Sequence, residues 1–164
     1  MESAPMQIRA LSALPISAVA VALAGCADRM GDGVVTVTLA ATSRNAGEIG
    51  RAFLIPRGEA TAVVVEVSGV APLFASRPVH LYTFLYEGPC NNLPPKPRYA
   101  LTDRVLAQSA RRAVTTPAGG PFTVSNTAPL TIDALRRARY AIVIRTSPAD
   151  GDVELFCGAI DAPG

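Results

Sequence analysis

Apolar residues in this chain fall in short runs with turn residues between them. Val34-Val35-Thr36-Val37-Thr38-Leu39 is almost entirely β-branched and reads as a strand. Glu48 to Ile55 reads as a second strand, closed by the turn signal Pro56-Arg57-Gly58. From Thr61 to Val70 the alternation is clear. Val63, Val65 and Val67 share one face, and Ala62, Glu66 and Ser68 share the other, the period of a half-buried strand. Gly69 and Pro72 end it. Pro78 to Tyr86 repeats the pattern. Val79, Leu81, Thr83 and Leu85 make an aliphatic face for the core, and His80, Tyr82, Phe84 and Tyr86 make an opposite, largely aromatic stripe.

Asn91 to Leu101 carries Pro94, Pro95 and Pro97, which forbid regular pairing and predict a long extended loop. Val105 to Thr116 and Phe122 to Ala128 read as strands separated by Pro117-Ala118-Gly119-Gly120-Pro121. Thr131 to Arg137 predicts about one helical turn. Tyr140 to Arg145 is a strand with Ile142 and Ile144 on one face, Asp150-Gly151 a turn, and Val153 to Ile160 the last strand. About eight short strands with turns between them predict an all-β sandwich or barrel.

The first residues follow a different pattern. Arg9 precedes an apolar run from Ala10 to Leu23, broken by Pro15. The run is short for a bilayer span and has the layout of a signal peptide, with Met6 as good a start as Met1. It ends Leu23-Ala24-Gly25-Cys26, which resembles the bacterial lipobox. That resemblance implies cleavage before Cys26 and acylation of its thiol and amine, each buried CH₂ contributing about 0.8 kcal/mol to membrane anchoring. The expected organisation is a lipoprotein signal peptide over 1–25, the acylated cysteine and a short tether over 26–33, and a β-sandwich domain over 34–164. Ala27, rather than aspartate, follows the cysteine. By the usual sorting pattern of such proteins, this implies the outer membrane, facing the periplasm.

With Cys26 given to lipid, Cys90 and Cys157 remain. In an oxidising exported compartment they form a bridge, stay as two free thiols, or serve as metal ligands. No further cysteine or nearby histidine supports a thiolate metal site. Composition agrees with a packed domain, 49% apolar and 17% charged. A net charge of +2 gives no reason to expect nucleic acid as a partner. Arg111-Arg112 and Arg136-Arg137-Arg139 are short basic clusters that read as solvated faces. No phosphate-binding glycine motif and no nucleophile motif is present.

Three segments in order carry a family resemblance. Val79-His80-Leu81-Tyr82 leads to Gly88-Pro89-Cys90, then comes Ala141 to Asp152 (AIVIRTSPADGD), then Glu154 to Ile160 (ELFCGAI). Over roughly Glu48 to Ile160 the chain resembles the copper/zinc superoxide dismutase fold and its small secreted bacterial relatives. The resemblance implies a Greek-key β-sandwich and a Cys90–Cys157 disulfide. His80 matches the first histidine of the family's His-x-His strand. Tyr82 stands where the second should be, Arg145 where a later strand supplies a copper-ligating histidine, and Glu154 where an arginine guides superoxide. His80 is the chain's one histidine, so the remaining metal ligands have no counterpart.

The expected function is therefore that of a membrane-anchored cell-envelope lipoprotein without enzyme activity or cofactor, a binding or structural module. His80, Tyr82, Phe84, Tyr86 and Arg145 form its candidate contact patch for an envelope protein. A copper- or zinc-handling protein using His80 is the alternative, and an enzyme of another type the third reading.

Overall fold

A computed structural model describes residues 33–109 and 119–161. Its strands are β1 (Val35–Ala41), β2 (Gly50–Arg57), β3 (Ala60–Gly69), β4 (Tyr82–Glu87), β5 (Tyr99–Leu101), β6 (Gln108–Ser109), β7 (Gly119–Ala128), β8 (Tyr140–Arg145) and β9 (Glu154–Ala159). One short helix, α1 (Ile132–Arg137), precedes β8. The nine strands found among the described residues lie in the order β5-β4-β8-β9-β1-β2-β3-β7-β6, all neighbours antiparallel.

β1 joins the two halves of this curled sheet. Val35 to Leu39 pairs with β2, while Ala40 and Ala41 pair with β9. The far ends of the order also meet. His80 bridges Leu106, the Leu81 N–H donates to the Val105 carbonyl at 2.8 Å, and the Ala107 N–H donates to the Val79 carbonyl at 2.9 Å. The chain crosses from one half to the other after β3, returns after β5 and crosses again after β7, in the Greek-key manner. The expected all-β sandwich or barrel is what the chain forms, with nine strands among the described residues where the pattern suggested about eight.

The core is built from the faces that alternation marks. Val63, Val65 and Val67 of β3 are buried, as are Val79, Leu81, Thr83 and Leu85 before and along β4. Facing them are Leu54, Val124, Ile142, Ile144, Leu155 and Phe156. β8 is buried on both faces, because Ala141 and Val143 lie under a second, smaller cluster. α1 closes the end of the barrel with Ile132 and Leu135 in the core. Thr131 caps it, its hydroxyl accepting from the Ala134 N–H at 3.2 Å.

Several boundaries differ from the sequence expectation. β2 starts at Gly50, not Glu48, and runs through Pro56 to Arg57. β1 begins opposite Leu54, so at Pro56 one edge of β2 is uncovered and a missing N–H costs no ladder bond. The turn is Gly58-Glu59, with Gly58 at φ +64°. Gly119 to Pro121 belongs to β7 rather than to a turn. The register shifts beside it, and a Cβ on Gly120 would run into the Ser68 carbonyl oxygen. Only a glycine allows that approach. Val79 to Leu81 leaves the β4–β8 ladder and pairs with 105–107 instead. The proline loop ends in a short strand, β5, paired with β4. Of the strand expected from Val105 to Thr116, the described part contributes β6 and the Leu106 bridge, and 110–118 lie outside the described residues.

Candidate functional site

The aromatic stripe of β4 is divided by its surroundings. At its lower end Phe84 and Tyr86 pack with Ala141, Val143, Cys157, Cys90 and Leu93. Tyr86 is only 6% exposed, so its ring is taken up in this satellite core rather than offered to solvent. What covers it is the loop after β4, tied down by the Cys90–Cys157 disulfide with Cα atoms 5.9 Å apart. The two cysteines therefore form the bridge, which settles the three alternatives open to them in the sequence.

In the middle of the stripe Tyr82 is the register partner of Arg145 on β8. Both are half-buried. A bulge between Ile144 and Arg145 lets Arg145 pair with Glu154 of β9. Arg145 Nη1 donates to Asp152 Oδ2 at 2.7 Å, a charge-assisted bond. Asp152 holds a left-handed backbone, φ +51°, which aspartate tolerates better than most residues. Burial pushes the Glu154 carboxyl above the ordinary range, and the Arg145 cation opposes that shift.

Asp152 and Glu154 border an open cleft of about 490 Å³ formed by Thr42, Ser43 and Arg44 on one side and Gly151 to Glu154 on the other. The Thr42 hydroxyl donates to the Glu154 carbonyl at 2.8 Å, fastening the β1 end to β9. Arg44 lies over the Phe74 ring, 5.6 Å from its centre. The cleft thus offers hydroxyls, one further guanidinium and two carboxylates, a set suited to polar recognition.

At the upper end, the half-buried His80 has its backbone in the bridge to Leu106. It acts electrostatically on Asp150. The Ser147 hydroxyl, then Ser76, hold the Asp150 carboxyl below its ordinary range, with His80 adding the smallest contribution. Ser147 Oγ donates to Asp150 Oδ2 at 2.6 Å and accepts from the Asp150 N–H at 3.1 Å. Among the described residues no three histidine, cysteine, aspartate or glutamate side chains stand close enough to hold a metal ion together.

The five-residue patch is thus three neighbourhoods: His80 beside Asp150, Tyr82 with Arg145, and Phe84 with Tyr86 under the disulfide loop. Asp152, Arg44 and Glu154 complete the middle one. Neither Asp152 nor Arg44 is signalled in sequence, because their approach depends on two loops meeting. A further pair also escapes the pattern. The buried Tyr140 donates to Glu87 Oε1 at 2.9 Å, and Arg98 stands 3.7 Å from the same carboxylate. Cys26 lies outside the described residues. Compared with family models, with curated proteins and with solved structures, the chain finds no match.

Proposed function

We propose that this chain is a lipid-anchored cell-envelope protein. Its domain is a superoxide dismutase-like scaffold that has lost the enzyme and serves as a binding or structural module. The observation that carries the reading is the Arg145–Asp152 pair at 2.7 Å, set opposite Tyr82. By the resemblance, Tyr82 and Arg145 hold the places of two copper-ligating histidines. A guanidinium is cationic at every accessible pH and has no lone pair to give a metal.

The donor set does not fit a copper centre. Cycling copper needs several imidazoles in one geometry, and this chain has one histidine. Glu154, at the place of the family's guiding arginine, would repel an anion. Two further features support the scaffold. The Greek-key crossings are those the resemblance implies, and the bridge from the loop after β4 to the last strand is the one it implies. Leu23-Ala24-Gly25-Cys26 supports the anchor, with outer-membrane sorting favoured by Ala27.

The test is a titration of the full chain, disulfide intact, with copper(II), copper(I) and zinc, alongside His80→Ala. Neither protein is expected to take up a stoichiometric ion. One equivalent bound tightly by the wild type and lost in the variant would make the protein a metal handler. Intact mass of the membrane-extracted protein checks the anchor. An acylated chain starting at Cys26 is expected, and an unmodified Cys26 would refute it.

A further inference from the structure

We propose that the outer face of β2 and β3 is a self-association surface, on which two copies of this chain pair about a two-fold axis. Ala52 and Leu54 of β2 and Val63 and Val65 of β3 point inward and are fully buried. Phe53, Ile55, Ala62 and Val64 alternate with them, point outward and are part-exposed. On the other half of the sheet the outward apolar residues Phe84, Tyr86 and Val143 form the satellite core with Cys90 and Leu93. Phe53, Ile55 and Val64 have no counterpart of it. Among the described residues they pack in neither core cluster.

The register orders this face in rows. Arg51 lies opposite Glu66, Phe53 opposite Val64, and Ile55 opposite Ala62. On the flanks Thr36 of β1 stands beside Phe53, and Ser125 of β7 beside Val64. The centre is apolar and the margin charged or hydroxyl-bearing, the anatomy of a protein interface. A sheet face meant for water carries polar residues at these outward positions. Arg51 and Glu66 are 59% and 42% exposed, and their contact at 3.9 Å is loose. A guanidinium with five donors keeps capacity for a second carboxylate.

The rows identify the occupant that fits. In an isologous contact a face packs on itself. With the two-fold axis running along the strands between β2 and β3, each residue meets the partner's copy of its own register neighbour. Arg51 then faces the partner's Glu66, Phe53 the partner's Val64, Ile55 the partner's Ala62 and Thr36 the partner's Ser125. Cation meets anion, larger meets smaller, hydroxyl meets hydroxyl, and no row sets like charge on like. Two sheets about 10 Å apart pack face to face in this way. Arg57 and Glu59, exposed at the hairpin end, balance as Arg51 and Glu66 do, so the face has no net charge to draw it to an anionic membrane. Four strands about 4.8 Å apart and three rows about 7 Å apart make a face of about 400 Å². Standard interfaces bury about 800 Å² per partner. The dimer is therefore weak and reversible, with a Kd above about 1 µM. The inference is independent of the anchor and scaffold proposed above.

The test is sedimentation equilibrium of the full chain from micromolar to millimolar concentration, where a reversible monomer–dimer equilibrium is expected. Phe53→Ser should weaken association about tenfold or more. Arg51→Glu and Glu66→Arg should each do the same, because each sets like charges across the axis. Mixed together, these two variants should pair with each other at least as tightly as the wild type does, since each supplies the charges that the other's face lacks. Association carried by the N-terminal segment is told apart, because all three variants leave that segment intact. Amide NMR spectra check that each variant is folded, and Arg137→Gln should change nothing. A monomer at millimolar concentration, association indifferent to Phe53→Ser, or single variants that fail to pair with each other would each overturn the inference. So would binding to anionic lipid vesicles that Arg51→Glu weakens and Glu66→Arg strengthens, which would assign the face to a membrane.

Discussion

Arg145 and Asp152, seven residues apart in the chain, meet through a 2.7 Å hydrogen bond between Nη1 and Oδ2 across the turn that joins β8 to β9. The pair is partly open to water, with the two side chains 28% and 47% exposed. That exposure limits its worth. Asp152→Asn, which keeps a side chain suited to the left-handed backbone, should cost about 0.5–1 kcal/mol in denaturant unfolding. Arg145→Gln should in addition raise the Glu154 pKa further, because it removes the cation that opposes the burial effect. Carboxyl NMR titration reads that shift directly.

Tyr140 gives an alkaline signature. Burial first, and the hydrogen bond to Glu87 second, push its phenol from 10.0 up to about 12. The unfolded chain therefore releases this proton before the folded one does. The contribution is fully present below the unfolded pKa of 10.0 and is lost as pH rises toward about 12. Tyr140→Phe should lower stability by about 1 kcal/mol at neutral pH through the lost hydrogen bond. It should also make the decline of stability between those two pH values shallower than in the wild type. Urea unfolding across that range measures both.

The disulfide joins residues 67 apart in sequence. The chain-entropy model assigns such a closure about 4 kcal/mol. The double variant Cys90→Ala, Cys157→Ala should lose stability of that order and expose Phe84 and Tyr86 to solvent. Quenching of tyrosine fluorescence by acrylamide, compared with the bridged protein, checks the exposure. Unchanged quenching would mean that the loop holds its place without the bond.

The two faces of β4 should respond differently to truncation. Leu85 is fully buried in the main core, so Leu85→Ala should cost about 2–5 kcal/mol. Tyr82 on the opposite face is half-buried beside Arg145, and Tyr82→Ala should cost about 1 kcal/mol or less. Thermal or denaturant unfolding of the two variants side by side decides it. A larger loss for Tyr82→Ala would reverse the assignment of the faces.

Gly158 sets how closely β1 and β9 approach. Any Cβ there runs into the Thr38 carbonyl oxygen and stands 2.7 Å from Leu39 Cδ2. Gly158→Ala should therefore destabilise by about 1–3 kcal/mol through forced separation of the strands. Faster hydrogen exchange at Ala40 and Ala41, the residues that ladder with β9, should accompany the loss.

Much of the scaffold was legible before any coordinates. The alternation from Thr61 to Val70 and along Val79 to Leu85 named the buried faces correctly, because a strand's side chains alternate whatever surrounds it. Cys90 and Cys157 were narrowed to a few fates by counting alone. The reading of Leu23-Ala24-Gly25-Cys26 rests on sequence entirely. Other features depend on where a neighbouring element starts or stops. Pro56 is a strand residue only because β1 begins opposite Leu54. Gly119 to Pro121 joins β7 only because Ser68 comes close. Arg145 finds Asp152 only because a loop returns. Local pattern reports which way a side chain points relative to its own backbone. What it meets there is set by contacts between residues far apart in the chain, and those come into being only when the sheet closes on itself.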